Sequence, residues 1–201
     1  HLSMKIIIII LLVFIVSCKN ETRTKVSPEI EIEIEKVSEI NTENQIDQSV
    51  YDIWNRYTKS NPKFINDELP DSWFFHNNEA DANRLADLVV TGKKKASSGL
   101  YYKYKEAKAD LQEAGTKHII TNFSGKAQAI IEIVKVDTIP FNEITKRYAE
   151  LDMGTHKEPL KQWKKVHWDF FSNVFEDSEE EPTEDMLVVC EWFETIWNRQ
   201  Q

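Results

Sequence analysis

The sequence predicts an α+β fold, helices gathered around a small antiparallel sheet or barrel, and three observations carry that expectation. Two β-rich runs, His118 to Phe123 and Ala127 to Val136, are joined at Ser124-Gly125 in the pattern of a hairpin. Apolar residues recur near helical period in several other segments. A last β-rich, aromatic stretch from Met186 to Trp197 follows an acidic loop, Glu176 to Asp185. Helices and strands in this order suit helices packed on a small sheet.

The elements follow in chain order, beginning with export. Lys5 follows Met4 and precedes an unbroken apolar run from Ile6 to Val16, and Ile15-Val16-Ser17-Cys18 resembles a lipobox. The run is too short to span a bilayer, which takes about 20 apolar residues, but it fits a signal core of roughly 7 to 15. Residues 1–18 are therefore expected to be a signal peptide ending at a lipidated Cys18, which anchors the chain in the cell envelope, on the periplasmic or surface side of a membrane. An ordinary secretory peptide or a short anchor is the other reading, and either exports the chain. Residues 19–49 contain no aromatic residue and no Gly, so they cannot bury enough surface to fold alone and are expected to form a disordered tether. Within it, Glu29 to Glu35 alternates with Ile at strand period and could add to a sheet edge.

The folded domain is expected over residues 50–201. Tyr51, Ile53, Trp54 and Tyr57 have helical spacing and meet a stop at Asn61-Pro62. Asn78 can cap a second helix, with Glu79 and Asp81 in its first turn, an apolar stripe through Leu85, Leu88 and Val89, and an end at Gly92. Beyond the hairpin, Asn142 can cap a short helix reaching about Glu150. A longer helix from about Pro159 to Val174 repeats Leu160, Trp163, Val166, Phe170 and Val174.

Charge and cysteine usage narrow the classes. The chain has 25 Lys plus Arg against 34 Asp plus Glu, and its net charge of −9 opposes the broad grip on phosphate backbones typical of basic proteins. A nucleic-acid ligand would have to meet a local patch. With Cys18 lipidated, Cys190 has no intrachain partner, and its place in Met186-Leu187-Val188-Val189-Cys190 reads as a small buried apolar side chain. The histidines and cysteines lack metal-ligand spacing, so no metal and no cofactor is expected.

Four ordered motifs resemble the ASCH domain family, whose fold is a PUA-like β-barrel, from about Tyr51 to Trp197. Trp73-Phe74-Phe75-His76-Asn77-Asn78 leads into Ala80-Asp81 and Leu85-Ala86-Asp87-Leu88-Val89, like that family's Trp-x-Phe turn and its Ala-Asp-x-Leu-Ala helix. Gly92-Lys93-Lys94-Lys95-Ala96-Ser97 looks like its Gly-x-Lys-x-x-Thr loop. Ile139-Pro140-Phe141 runs into Tyr148-Ala149-Glu150-Leu151-Asp152, and Trp163, His167 and Phe170-Phe171 match a Trp-x-x-x-His-x-x-Phe-Phe helix. The resemblance implies one cavity lined by Lys94, Ser97 and Asp152. Some members are amidohydrolases of acetylated cytidine; others are described as RNA-binding. Ser97 stands where Thr is usual, Asp152 where Glu is usual, and Met153 where Gly commonly follows.

The same residues make chemical sense without the family. A confined lysine can serve as base or nucleophile, a neighbouring hydroxyl can attack or support an oxyanion, and a carboxylate can orient both. The plainer readings are that Gly92 ends a helix, the three lysines form a solvated turn, Asp152 is a surface or capping carboxylate, and His167 is a partly buried histidine with one hydrogen bond. For binding, His167 is a candidate on the cavity side, and Lys93 and Lys95, with Lys103 and Lys105, interleave with Tyr101, Tyr102 and Tyr104, offering cations for phosphates and rings for stacking. A charged helix face with half-buried tyrosines explains that pattern equally. Binding of RNA, a nucleotide or a modified nucleoside is the expected role, with hydrolysis of an acylated nucleoside or small amide and a protein-contact role as the alternatives; the partners are then a nucleoside, a nucleotide or single-stranded RNA, besides the membrane reached through the lipid. Convergence of Lys94, Ser97 and Asp152 within about 3 to 4 Å favours hydrolysis, and dispersal favours binding.

Overall fold

The computed structural model describes residues 46–176 and 181–201; the expected signal segment, Cys18 and the tether up to residue 45 lie outside the described residues. Helix α1 (Gln48–Ser60) begins slightly before the boundary expected at residue 50, because Asp47 caps it by accepting the Ser49 amide at 2.9 Å. Val50, Ile53, Trp54 and Tyr57 form its buried face, whereas Tyr51 faces solvent. The short strand β1 (Ser72–Trp73) precedes α2 (Glu79–Val90), which Asn78 caps as expected, its side-chain oxygen accepting the Asp81 amide at 2.9 Å.

Next come β2 (Ala96–Leu100), α3 (Tyr101–Ala107), β3 (Lys117–Thr121) and the long β4 (Ala127–Pro140). The expected hairpin is β3 and β4, paired antiparallel. The short helix expected from Asn142 starts later. Phe141 to Glu143 make a single 3₁₀ turn, and α4 (Lys146–Met153) is capped by Thr145, whose hydroxyl accepts the Tyr148 amide at 3.2 Å. Helix α5 (Pro159–Phe175) and strand β5 (Leu187–Asn198) complete the described chain.

The sheet order is β1-β3-β4-β5-β2. It is mixed rather than purely antiparallel, because β1 runs parallel to β3. Register shifts in β4 at Ile130/Ile131 and Ile133/Lys135 mark bulges, which bend a strand and increase its twist. The first half of β4 pairs with β3 on one side, while β5 runs along it from Ala129 to Pro140 on the other and in turn receives β2. α1 buries its aromatic face near the β3 side, and α4 and α5 cover β2 and β5 through Phe141, Tyr148, Trp163 and Phe171. Helix α5 has the expected period in a different phase. Its buried row holds Trp163, Phe171 and Phe175, while Val166 and Phe170 are exposed, because two adjacent apolar rows were available and the inner one carries the indole that meets β2.

Candidate active site

Gly92 does what both of its readings require. At φ +65° it adopts a left-handed turn that ends α2, and the Lys93 and Lys94 amides close on the Leu88 carbonyl at 2.8 and 3.0 Å. The loop is then clamped: the Lys95 amide donates to the Leu151 carbonyl at 2.8 Å, and the Phe193 amide donates to the Lys95 carbonyl at 2.9 Å. Lys94 turns inward and is only 4% exposed, while Lys93 and Lys95 face out.

Asp152, 3% exposed, sits in the last turn of α4 and receives the Lys94 ammonium on Oδ1; the same ammonium donates to the Asp152 backbone carbonyl at 2.8 Å. A cation at a helix C-terminus also satisfies an end carbonyl and the helix dipole. The other carboxylate oxygen, Oδ2, accepts the Trp163 indole N–H at 2.8 Å and a serine hydroxyl at 2.5 Å.

That serine is Ser98, not Ser97. Side chains alternate across a strand, so consecutive serines of β2 cannot share a face. Ser98 faces Asp152 and pairs in register with Cys190, whereas Ser97 pairs with Glu191 and gives the cluster only its carbonyl, which accepts the Tyr148 hydroxyl at 2.6 Å. With the Tyr148 proton on that carbonyl, its oxygen is left to face Ser98 Oγ at 3.0 Å, and the indole also reaches Ser98 Oγ at 3.2 Å. Of the two acceptors facing it, the Asp152 carboxylate is nearer and charged, and it takes the single Ser98 proton.

His167 stacks on Trp163 with ring centroids 4.2 Å apart. Its Nδ1 lies 3.0 Å from the Trp163 carbonyl, which assigns the proton there, and its Nε2 lies 3.4 Å from Asp152 Oδ2. Burial pushes the imidazole below its ordinary value, against the opposing pull of Asp152 and the Trp163 carbonyl. For Asp152, burial pushes the carboxyl up, but Lys94 first, then His167 and the bonds from Lys94 and Ser98, outweigh it and hold the group below the ordinary carboxylate range. Burial lifts the Tyr148 phenol well above its usual value and the Cys190 thiol to about 12, so Cys190 is a protonated, inert neighbour.

Of the tyrosines expected to stack on a ligand, two have partners within the fold. Tyr102 packs on Phe175 at 5.1 Å, Tyr104 lies against Gly99 and donates to Glu191 at 3.3 Å, and Tyr101 is half-buried on the same helix. Lys103 pairs with Glu106. Exposed phenylalanine rings among the described residues are Phe74, Phe123 and Phe170. Phe74 meets Phe123 at 5.2 Å, Phe170 lies 6.2 Å from His76, and the buried Phe75 ring lies 4.9 Å from the Lys94 ammonium. Among the described residues no group of three or more His, Cys, Asp or Glu could hold a metal ion, and no helix is long and apolar enough to cross a membrane.

The family model for the ASCH domain matches residues 71–197, which spans the loop, both helices and every strand of the cluster. The chain belongs to the ASCH domain family. Among solved structures, this ASCH protein is similar to the ASCH domain from Lactobacillus crispatus JV V101, at 27% identity and a TM-score of 0.70, over 78% of this chain and 99% of that one. It is also similar to protein EF3133 from Enterococcus faecalis V583, at 28% identity and a TM-score of 0.67, over 75% of this chain and 90% of that one. No curated protein matches it. The α+β, PUA-like fold that the motifs imply is the one present. Ser98, Tyr148 and the indole N–H of Trp163 had no separate signal in the sequence; Trp163 reads as core until its N–H is seen against a carboxylate.

Proposed function

We propose that this ASCH domain is an amidohydrolase acting on an acylated nucleoside or a similar small N-acyl ring compound, with Ser98 as nucleophile, Asp152 as its base and Lys94 as the charge that steadies both. One observation carries the reading: Ser98 Oγ donates to Asp152 Oδ2 at 2.5 Å while Lys94 holds Oδ1. Ser98 and His167 are the partly exposed members, with Lys94 and Asp152 buried beside them. Attack by Ser98 on the carbonyl carbon passes its proton to Asp152, beside the free Nε2 of His167. The Trp163 indole N–H, together with the Lys94 charge, stabilises negative charge developing nearby. The departing amine takes the proton, and water repeats the sequence to release the acid. Asp152 is one methylene shorter than the Glu usual in the family, yet it reaches Lys94 directly, because the lysine lies against the end of the same helix.

The test compares acetylcytidine hydrolysis by the parent protein, Ser98→Ala, Ser97→Ala and Lys94→Ala. Ser98→Ala is expected to lower kcat by at least about 100-fold and Ser97→Ala to leave it within about twofold. A folded parent that forms no product removes this substrate. Equal losses in the two serine variants would remove Ser98 as nucleophile.

A second reading, binding of RNA, a nucleotide or a modified nucleoside without turnover, is favoured by the exposed Phe74, Phe123 and Phe170 rings and by the closed ion pair, which leaves Lys94 no free charge for catalysis. For location we propose export and lipid attachment at Cys18, supported by the apolar run from Ile6 to Val16 before it. Incorporation of a labelled fatty acid that is lost in Cys18→Ala would establish it.

A further inference from the structure

The loop that carries Lys94 inward turns two other lysines outward, onto a cleft of about 470 Å³ on its far side. The walls are Lys93 and Lys95 on one side and the outer face of α4 with the turn after it, bearing Arg147, Glu150, Thr155 and His156, on the other. Glu150 is the one carboxylate of the lining, and it is already engaged: Arg147 lies 3.4 Å from it, His156 3.8 Å and Lys146 4.0 Å. It thus holds Arg147 and His156 over the cleft. Lys93 and Lys95 form no ion pair among the described residues, which is unusual company for a chain of net charge −9.

The floor is built to stay open. Gly154 stands at φ +62° where α4 ends, and a Cβ there would meet Leu88 at 3.1 Å and the Lys93 backbone at 3.4 Å, so only glycine lets the loop and helix approach this closely. Thr155 accepts the Lys157 amide at 3.2 Å and keeps its own hydroxyl proton for another acceptor. Three permanent cations against one carboxylate, a hydroxyl donor and an imidazole match the charge and donor demand of a phosphate dianion.

We propose that this cleft binds a phosphate monoester, with Lys93, Lys95 and Arg147 as its cationic contacts and Thr155 as a hydroxyl donor. The assignment stands on the cleft alone and does not depend on the hydrolase reading. It does touch the same machinery, since the Lys95 amide holds the Leu151 carbonyl and the Lys94 ammonium holds the next one along, that of Asp152. A phosphate gripping Lys93 and Lys95 would brace the loop that positions Lys94.

The experiment is calorimetric titration of the full chain with inorganic phosphate, at constant ionic strength maintained with chloride. Saturable binding is expected, weakened at least about tenfold in a Lys93→Gln/Lys95→Gln variant whose melting is unchanged, and weakened several-fold in Arg147→Gln. All three residues are exposed, so loss of folding does not confound the result. A response that never saturates, or that the double variant leaves intact, overturns the site. Cytidine, cytidine 5′-monophosphate and a short single-stranded RNA then identify the source of the phosphate. Competition by the monophosphate and not by cytidine supports a monoester site. Binding of the RNA alone, with neither phosphate nor monophosphate bound, overturns it in favour of contacts along a strand.

Discussion

Asp152 is the residue on which the cluster depends. It is buried, and each carboxylate oxygen is held by protein groups, so replacing it by Asn leaves Lys94 buried beside a neutral amide. Breaking one side of a buried ion pair typically costs about 3 to 5 kcal/mol. Asp152→Asn should therefore lower unfolding stability by that amount in a urea titration, and a Lys94→Met/Asp152→Leu double variant should recover most of it. A double variant as unstable as the single one would mean that the pair itself, rather than the orphaned lysine, was stabilising. At this scale the sequence was informative about Lys94 and Asp152, since each lies in a motif with its own spacing. It was misleading by one position about the hydroxyl. A serine pair gives no alternation of polarity, so nothing in the sequence says which of Ser97 and Ser98 faces inward until β2 is placed against β5.

Among the elements, those with an amphipathic stripe or a capping residue were legible: α1, α2, the β3/β4 hairpin, α5 and β5. β1 and β2 were not, because a two-residue strand has no period and Ala96-Ser97-Ser98-Gly99-Leu100 has neither β-branched nor alternating residues. What makes β2 a strand is tertiary, five register pairs with β5. The junction of α4 with the Lys93–Lys95 loop is similarly set by contact. Gly154→Ala would force a left-handed alanine into a space already touched by Leu88, and a loss of about 1 to 3 kcal/mol is expected, read from thermal unfolding. An unchanged midpoint would show that the loop and helix are looser than their hydrogen bonds imply.

For the molecule as a whole, two histidines drawn out of water, the buried His118 and the mostly covered His167, set the direction of its pH response. Burial holds both His167 and His118 below the ordinary value of 6.5, so the unfolded chain takes up protons first as the pH falls through 6.5. Stability should decline from there downward. Asp152 has a depressed value, so its contribution is present above the ordinary 3.8 and is lost only as the pH falls through the lower folded-state value. Urea midpoints measured between pH 8 and pH 5 should drop, with a shallower slope in His167→Gln. A flat profile would mean that neither ring is neutral in the folded state. The partial burial of His167 and its one hydrogen bond were readable from its helical spacing to Trp163; its approach to Asp152 was not, because that carboxylate comes from α4.

Cys190 lies opposite Ser98 in the β2/β5 pairing, fully buried beneath the hydroxyl cluster with its thiol raised to about 12. A thiol reagent can reach it only when those two strands part. Its rate of modification, followed by mass on the Cys190 peptide, therefore works as a clock for local opening at the nucleophile, readable without introducing a probe. A ligand that settles on Ser98 should slow that clock, and one that sits only on the outer cleft should slow it less, which turns a silent core cysteine into the molecule's own record of where it has been occupied.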